Sequence, residues 1–170
     1  MARYPVEILG EDEDNGTMVD NVETLADAVI GHKIVKVEKD AEVPLESQRW
    51  GANRGFHLTL DNGTQVWLVD TNDCCAYTSI DADKLIEHLD RIDHVILGVG
   101  TTGGYSNWHI YCALGDVLEL AVDWSPGNAF YYGYGFNITV LEGEPLALDL
   151  PSPYDALLTT NHTPEELNFE

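Results

Sequence analysis

The pattern of apolar residues predicts a mainly β (α+β) protein. Its expected form is two four-stranded antiparallel meander units forming a sandwich or barrel-like sheet, with one or two short helices. Three observations carry this. Residues 108–140 read as three consecutive strands with one apolar face. Asn62-Gly63 falls between two alternating runs, a strong short-range hairpin signal. Residues 33–80 and 95–140 repeat one layout of strand, connection, tight hairpin and further strand.

The elements follow in order. Residues 1–21 read as a flexible acidic arm, because Glu11-Asp12-Glu13-Asp14 leads into Asn15-Gly16. Thr24 is the expected cap of a short helix carrying Leu25, Ala28 and Val29 and ending at Gly31. Residues 33–38 form the first strand, and residues 40–55 a long connection holding Pro44, Trp50 and Arg54. Residues 56–60 and 65–69 then pair across Asp61-Asn62-Gly63-Thr64, whose two central residues are expected at positive φ.

A fourth strand is expected over residues 75–80 and a short helix carrying Leu85, Ile86 and Leu89 after it, followed by a strand at 95–99. Trp108, Ile110, Cys112 and Leu114 alternate onto one face, as do Leu118, Leu120, Val122 and Trp124. Beyond Ser125-Pro126-Gly127-Asn128, a third run places Phe130, Tyr132, Tyr134, Phe136, Ile138 and Val140 together. The division is therefore an arm at 1–21, one β-rich domain at 22–141 and an irregular surface segment at 142–170.

Charge narrows the functions. Thirty acids against eight bases give a formal net charge of -22, and no Lys or Arg follows Arg91. Such a chain repels nucleic acid and anionic membrane and attracts basic surfaces. No apolar run reaches the roughly 20 residues of a membrane helix, and the N-terminus does not read as an export signal. A cytoplasmic location is the expectation.

Chemistry-bearing motifs are sparse. Adjacent residues of a strand face opposite ways, so Cys74 and Cys75 are not expected to grip one ion; Cys112 belongs to an apolar face. No metal site and no cofactor are expected. His57 and His109 alternate onto presumed solvent faces, and no Gly-x-Ser-x-Gly elbow or phosphate loop occurs. No catalytic residue is assigned and no enzyme is expected. Tyr131, beside Gly133 and Gly135, is a candidate recognition aromatic. Glu119 and Asp123 share one strand face with a spacing in multiples of about 6.8 Å, which suits a surface presenting regular negative charge.

Several stretches together resemble a family of small uncharacterised proteins of actinobacteria and their phages. They are residues 32–37, Asp61 to Thr64, Asp73-Cys74-Cys75-Ala76, and residues 128–136 ending in Tyr-Tyr-Gly-Tyr-Gly-Phe. That family has no assigned activity, so the resemblance implies context alone: a phage accessory protein in the cytoplasm of a bacterial host. The resulting expectation is a non-enzymatic protein that binds a host protein with a basic surface and modulates host physiology or defence, in its sharper form by acidic nucleic-acid mimicry. Its expected contact residues are Glu11, Asp12, Glu13, Asp14, Glu119, Asp123 and Tyr131, with no direct nucleic-acid or membrane binding. The alternative is a small-molecule binding or sequestering protein with a β-barrel or aromatic pocket; a hydrolase ranks below both.

Overall fold

The computed structural model describes residues 4, 6–7, 9–10, 12–48, 53–127 and 134–143. Ten regular elements run along it: α1 (Met18–Val29), β1 (Ile34–Glu42), β2 (Arg54–Leu60), β3 (Gln65–Val69), β4 (Tyr77–Asp81), α2 (Asp83–Glu87), β5 (Ile96–Thr102), β6 (Asn107–Cys112), β7 (Val117–Ser125) and β8 (Asn137–Leu141). The strands form two four-stranded antiparallel sheets, ordered β1-β2-β3-β8 and β4-β7-β6-β5.

Each sheet is a run of three consecutive strands completed by a fourth from elsewhere in the chain. β4 follows β3 yet pairs with β7; β8 follows β7 yet pairs with β3. The expected mainly β architecture of two four-stranded antiparallel sheets holds, but the sheets do not follow the units 33–80 and 95–140, and the third strand of the 108–140 run leaves its meander. Alternation records which face of a strand is buried, and it is silent on which neighbour the strand takes. The corner that sends β4 away is tied by Asp70, whose carboxylate accepts from the Thr78 hydroxyl at 3.2 Å and the Ile80 N–H at 3.1 Å.

One core lies between the sheets. Phe56, Leu58, Leu60, Val66 and Leu68 from the first sheet meet Ile96, Val99, Trp108, Ile110, Cys112, Leu118, Leu120 and Val122 from the second. Among the described residues the predicted strand faces hold with one exception; Phe130 and Tyr132 lie outside those residues. Leu114 is 89% exposed at φ 65°, because residues 113–115 form the turn into β7. Trp108 is fully buried, donates its indole N–H to the Tyr105 carbonyl at 2.9 Å and meets Phe136 edge-on at 5.4 Å. That contact links the second sheet to the chain entering β8.

At the β2–β3 hairpin only Gly63 takes positive φ (81°), and Asn62 instead accepts the Thr64 N–H through its side chain. The expectation that both central residues are left-handed is corrected: the loop has four residues, and a longer loop does not need the two-residue turn.

α1 begins six residues before Thr24, inside the stretch expected as an arm. Met18, Val22, Leu25 and Val29 recur at helical spacing, all buried. The helix packs on β5 and β8, one edge strand from each sheet, and so closes that side of the core. Ahead of it, Tyr4 stacks on Tyr111 at 4.2 Å and Glu7 accepts the Gly104 N–H at 3.0 Å, while Val6 and Leu9 pack on the core.

Candidate functional site

The acidic residues singled out from the sequence divide into two groups. On the outer face of the second sheet, Glu119 stands opposite His109 across β6–β7, 3.4 Å from its ring and 3.4 Å from Lys84. Asp123 is exposed on the same strand, 3.4 Å from the Tyr77 hydroxyl. Glu119 therefore has its charge matched at close range, as no regular row of bare phosphates would. Asp12, Glu13 and Asp14 lie together just before α1. Glu13 accepts the Gly10 N–H and Asp14 the Gly16 N–H, each at 2.9 Å, while Asp12 is exposed. Glu11 and Tyr131 lie outside the described residues.

A third acidic group was not singled out from the sequence. Asp20, Glu23 and Asp27 lie exposed along α1, opposite its buried stripe, and the helix carries no base. From Asp20 to Asp27 the helix rises about 10 Å. The signal was the same i, i+3, i+7 spacing that marks the apolar face. It is hidden once the helix is started at Thr24.

Beside α1 runs the clearest concave surface. A groove of about 530 Å³ is walled by Thr17, Asn21 and Thr24 of the helix region and by residues 134–139, with Glu46 and Gln48 across from them. A second concavity of about 510 Å³ shares Thr24 and continues past Asp27 and His32 to Glu142. Both follow β8, an edge strand whose residues are all half-buried.

The groove is shaped by Asn21. Its amide accepts the Phe136 N–H at 2.9 Å and donates to the Phe136 carbonyl at 3.2 Å, imitating a strand neighbour where the chain enters β8. Thr71 donates to the Gly135 carbonyl at 2.9 Å from the other side. A Cβ on Gly135 would lie 2.1 Å from the Asn21 carbonyl oxygen, so glycine is what allows the close approach. The lining offers hydroxyl, amide and carboxylate groups, with His32, 3.2 Å from Asp61, as the one imidazole among the described residues of the two concavities. Such a surface suits a cationic or hydrogen-bonding ligand.

Among the described histidines, His57 departs furthest from the reading of a surface group. His57 is 5% exposed, because Val43, Trp67 and Val69 form a second small core on the outside of the first sheet. Its ring stacks on Trp67 at 4.3 Å, and its Nδ1 lies 2.9 Å from Glu38. Hydrogen bonds from His57 and then Lys36 hold the Glu38 carboxyl below the usual range. No group of three or more His, Cys, Asp or Glu able to hold a metal occurs among the described residues. Nor is any helix among them long and apolar enough to cross a membrane.

The cysteine pair also departs from expectation. Cys74 and Cys75 precede β4 in a turn, so strand alternation does not separate them; both are exposed and their sulfurs are 3.5 Å apart. Cys112 is buried, as its apolar face required.

Comparison with known proteins finds one family. A family model described as a domain of unknown function (DUF7448) matches residues 27–138, from within α1 to the start of β8. No curated protein and no solved structure matches the chain.

Proposed function

Because this chain belongs to the DUF7448 family, a domain of unknown function, we propose its role from its surface: a non-enzymatic accessory protein that engages a basic surface of another protein. One observation carries the reading. The row Asp20, Glu23 and Asp27 lies exposed on the same helix, without a base, whose Thr17, Asn21 and Thr24 wall the groove along β8; Asp27 itself lines the second concavity, and Asp12 to Asp14 precede the helix. A partner presenting Lys or Arg there gains long-range attraction to a chain of net charge -22 and hydrogen bonds from the groove walls. The resemblance to proteins of actinobacteria and their phages supports a bacterial host protein as that partner, in the cytoplasm. Nucleic-acid mimicry is the sharper form.

The test is affinity capture from bacterial lysate with the full chain and with the triple variant Asp20→Lys/Glu23→Lys/Asp27→Lys, its helix content checked by circular dichroism. A partner held by the native chain at low salt, released at high salt and lost by the variant supports the proposal. Release by duplex DNA supports mimicry. Equal capture by the folded variant would end the reading.

A small-molecule role finds support in one feature only. The groove beside Asn21 falls within the 300–1,000 Å³ usual for ligand sites, whereas large side chains such as Trp108 and Tyr105 fill the space between the sheets. A ligand would sit outside the sandwich, on the α1–β8 seam.

A further inference from the structure

The turn 72–77 holds its two cysteines in a fixed relation. Asn72 bridges Tyr77, the Asp73 N–H donates to the Ala76 carbonyl at 2.8 Å, and the Cys74 N–H donates to the Asp73 carboxylate at 2.6 Å. Ala76 is fully buried, with Gly127 close against it, and Ser125 donates to the Cys75 carbonyl at 3.4 Å. The backbone is thus tied on both sides while both thiols face solvent.

We propose that Cys74 and Cys75 form a vicinal dithiol site for a trivalent arsenical, bound through both sulfurs at once. A centre bonding sulfur at about 2.3 Å with an S–centre–S angle near 100° spans about 3.5 Å. The sulfurs already stand at 3.5 Å. A disulfide fits less well. It needs sulfurs at about 2.05 Å and Cα atoms at least about 4.4 Å apart, whereas neighbouring residues on a trans peptide are held at about 3.8 Å. Tetrahedral zinc needs further ligands, and the adjacent Asp73 carboxylate is engaged by the Cys74 N–H.

Local electrostatics select in the same direction. The hydrogen bond to Cys75 and then that thiol's charge push the Cys74 thiol up, with smaller contributions from burial and Asp73. Thiolate is therefore scarce at neutral pH, which slows thiol–disulfide exchange, and the acidic surface repels anionic disulfides. An uncharged arsenic(III) oxide escapes the repulsion. Two S–H bonds and the arsenic–oxygen bonds break, two As–S bonds form, and the oxygen leaves with both protons as water. Nothing is oxidised or reduced.

Phenylarsine oxide added to the phosphine-reduced full chain tests this by intact mass. The expected product is one adduct per chain at the mass of the reagent less one water, stable to excess monothiol and removed by a dithiol. It is expected to be retained in Cys112→Ser and lost in both Cys74→Ser and Cys75→Ser. Pre-organisation is expected to raise affinity about tenfold or more over a peptide of residues 71–78. No adduct on the folded chain, equal labelling of either single-serine variant, or an affinity no better than the peptide's would each overturn the proposal.

Discussion

The side-chain amide of Asn21 is paired with the backbone of Phe136 as a neighbouring strand would be, at 2.9 Å to the N–H and 3.2 Å to the carbonyl. This joins α1 to the start of β8 at a site where both partners are buried. Asn21→Ala leaves one donor and one acceptor without partners, and an unsatisfied buried group costs about 1–3 kcal/mol. We expect a loss of roughly 2–4 kcal/mol in urea unfolding. A loss under about 0.5 kcal/mol, the range of an ordinary surface change, would show the pairing to be incidental.

Gly135 should be coupled to that amide. An added Cβ lies 2.1 Å from Asn21 Oδ1 and 2.8 Å from Thr17 Oγ1, so Gly135→Ala is expected to cost about 1–3 kcal/mol by overpacking. In an Asn21→Ala background the main obstacle is gone, and the same substitution should cost much less. A double-mutant cycle measures this directly. Strict additivity would mean that the two residues do not share the contact described.

Much of the fold, and less of the surface, was legible in the residues themselves. The alternation of Trp108, Ile110 and Cys112, and of Leu118, Leu120 and Val122, located a buried face that the structure retains. Partner choice was not legible: Ile138 and Val140 need an apolar neighbour, and Leu68 and Val66 of β3 satisfy that need. His57 alternates outward as read, but Val43 and Trp67 cover it, a tertiary effect that no local pattern records. Asp20, Glu23 and Asp27 were visible in principle. The acid run and Asn15-Gly16 before them disguised the start of the helix.

The strand exchange has a consequence for folding. β4 finds its ladder only on β7, and β8 only on β3, so a cut after Ala82 leaves neither part with a complete sheet. Fragments 1–82 and 83–170 are each expected to give poorly dispersed amide NMR spectra alone. Mixed together, they should recover the dispersion of the intact chain. A well-dispersed spectrum from either fragment by itself contradicts this topology as the basis of stability.

Asp70 ties the corner where the chain changes sheets, and its carboxyl is raised above the ordinary 3.8, burial outweighing the bonds from Ile80 and Thr78. A raised carboxyl binds its proton more tightly in the folded state than in the unfolded one. Its favourable contribution is therefore complete below the unfolded value and is lost as pH climbs through the folded one. Asp70→Asn keeps an acceptor for the Ile80 N–H and removes the titration. Stability of the variant should vary less with pH from about 3.8 upward than that of the native chain. Parallel pH profiles would remove Asp70 as the source.

Leu114 combines two features that rarely occur together without a reason. It sits at φ 65° and is 89% exposed, so its backbone is strained and its side chain gains little from burial. Left-handed conformation costs a non-glycine residue about 1 kcal/mol or more, while glycine gives back part of that gain through a freer unfolded chain. Leu114→Gly is accordingly expected to raise stability by about 0.5–1 kcal/mol in chemical denaturation. Unchanged or lower stability would mean that the side chain makes a compensating contact at the β6–β7 turn. A gain in stability accompanied by loss of a captured partner would instead place this leucine in the interface, where a strained, exposed apolar tip serves binding at the expense of the fold.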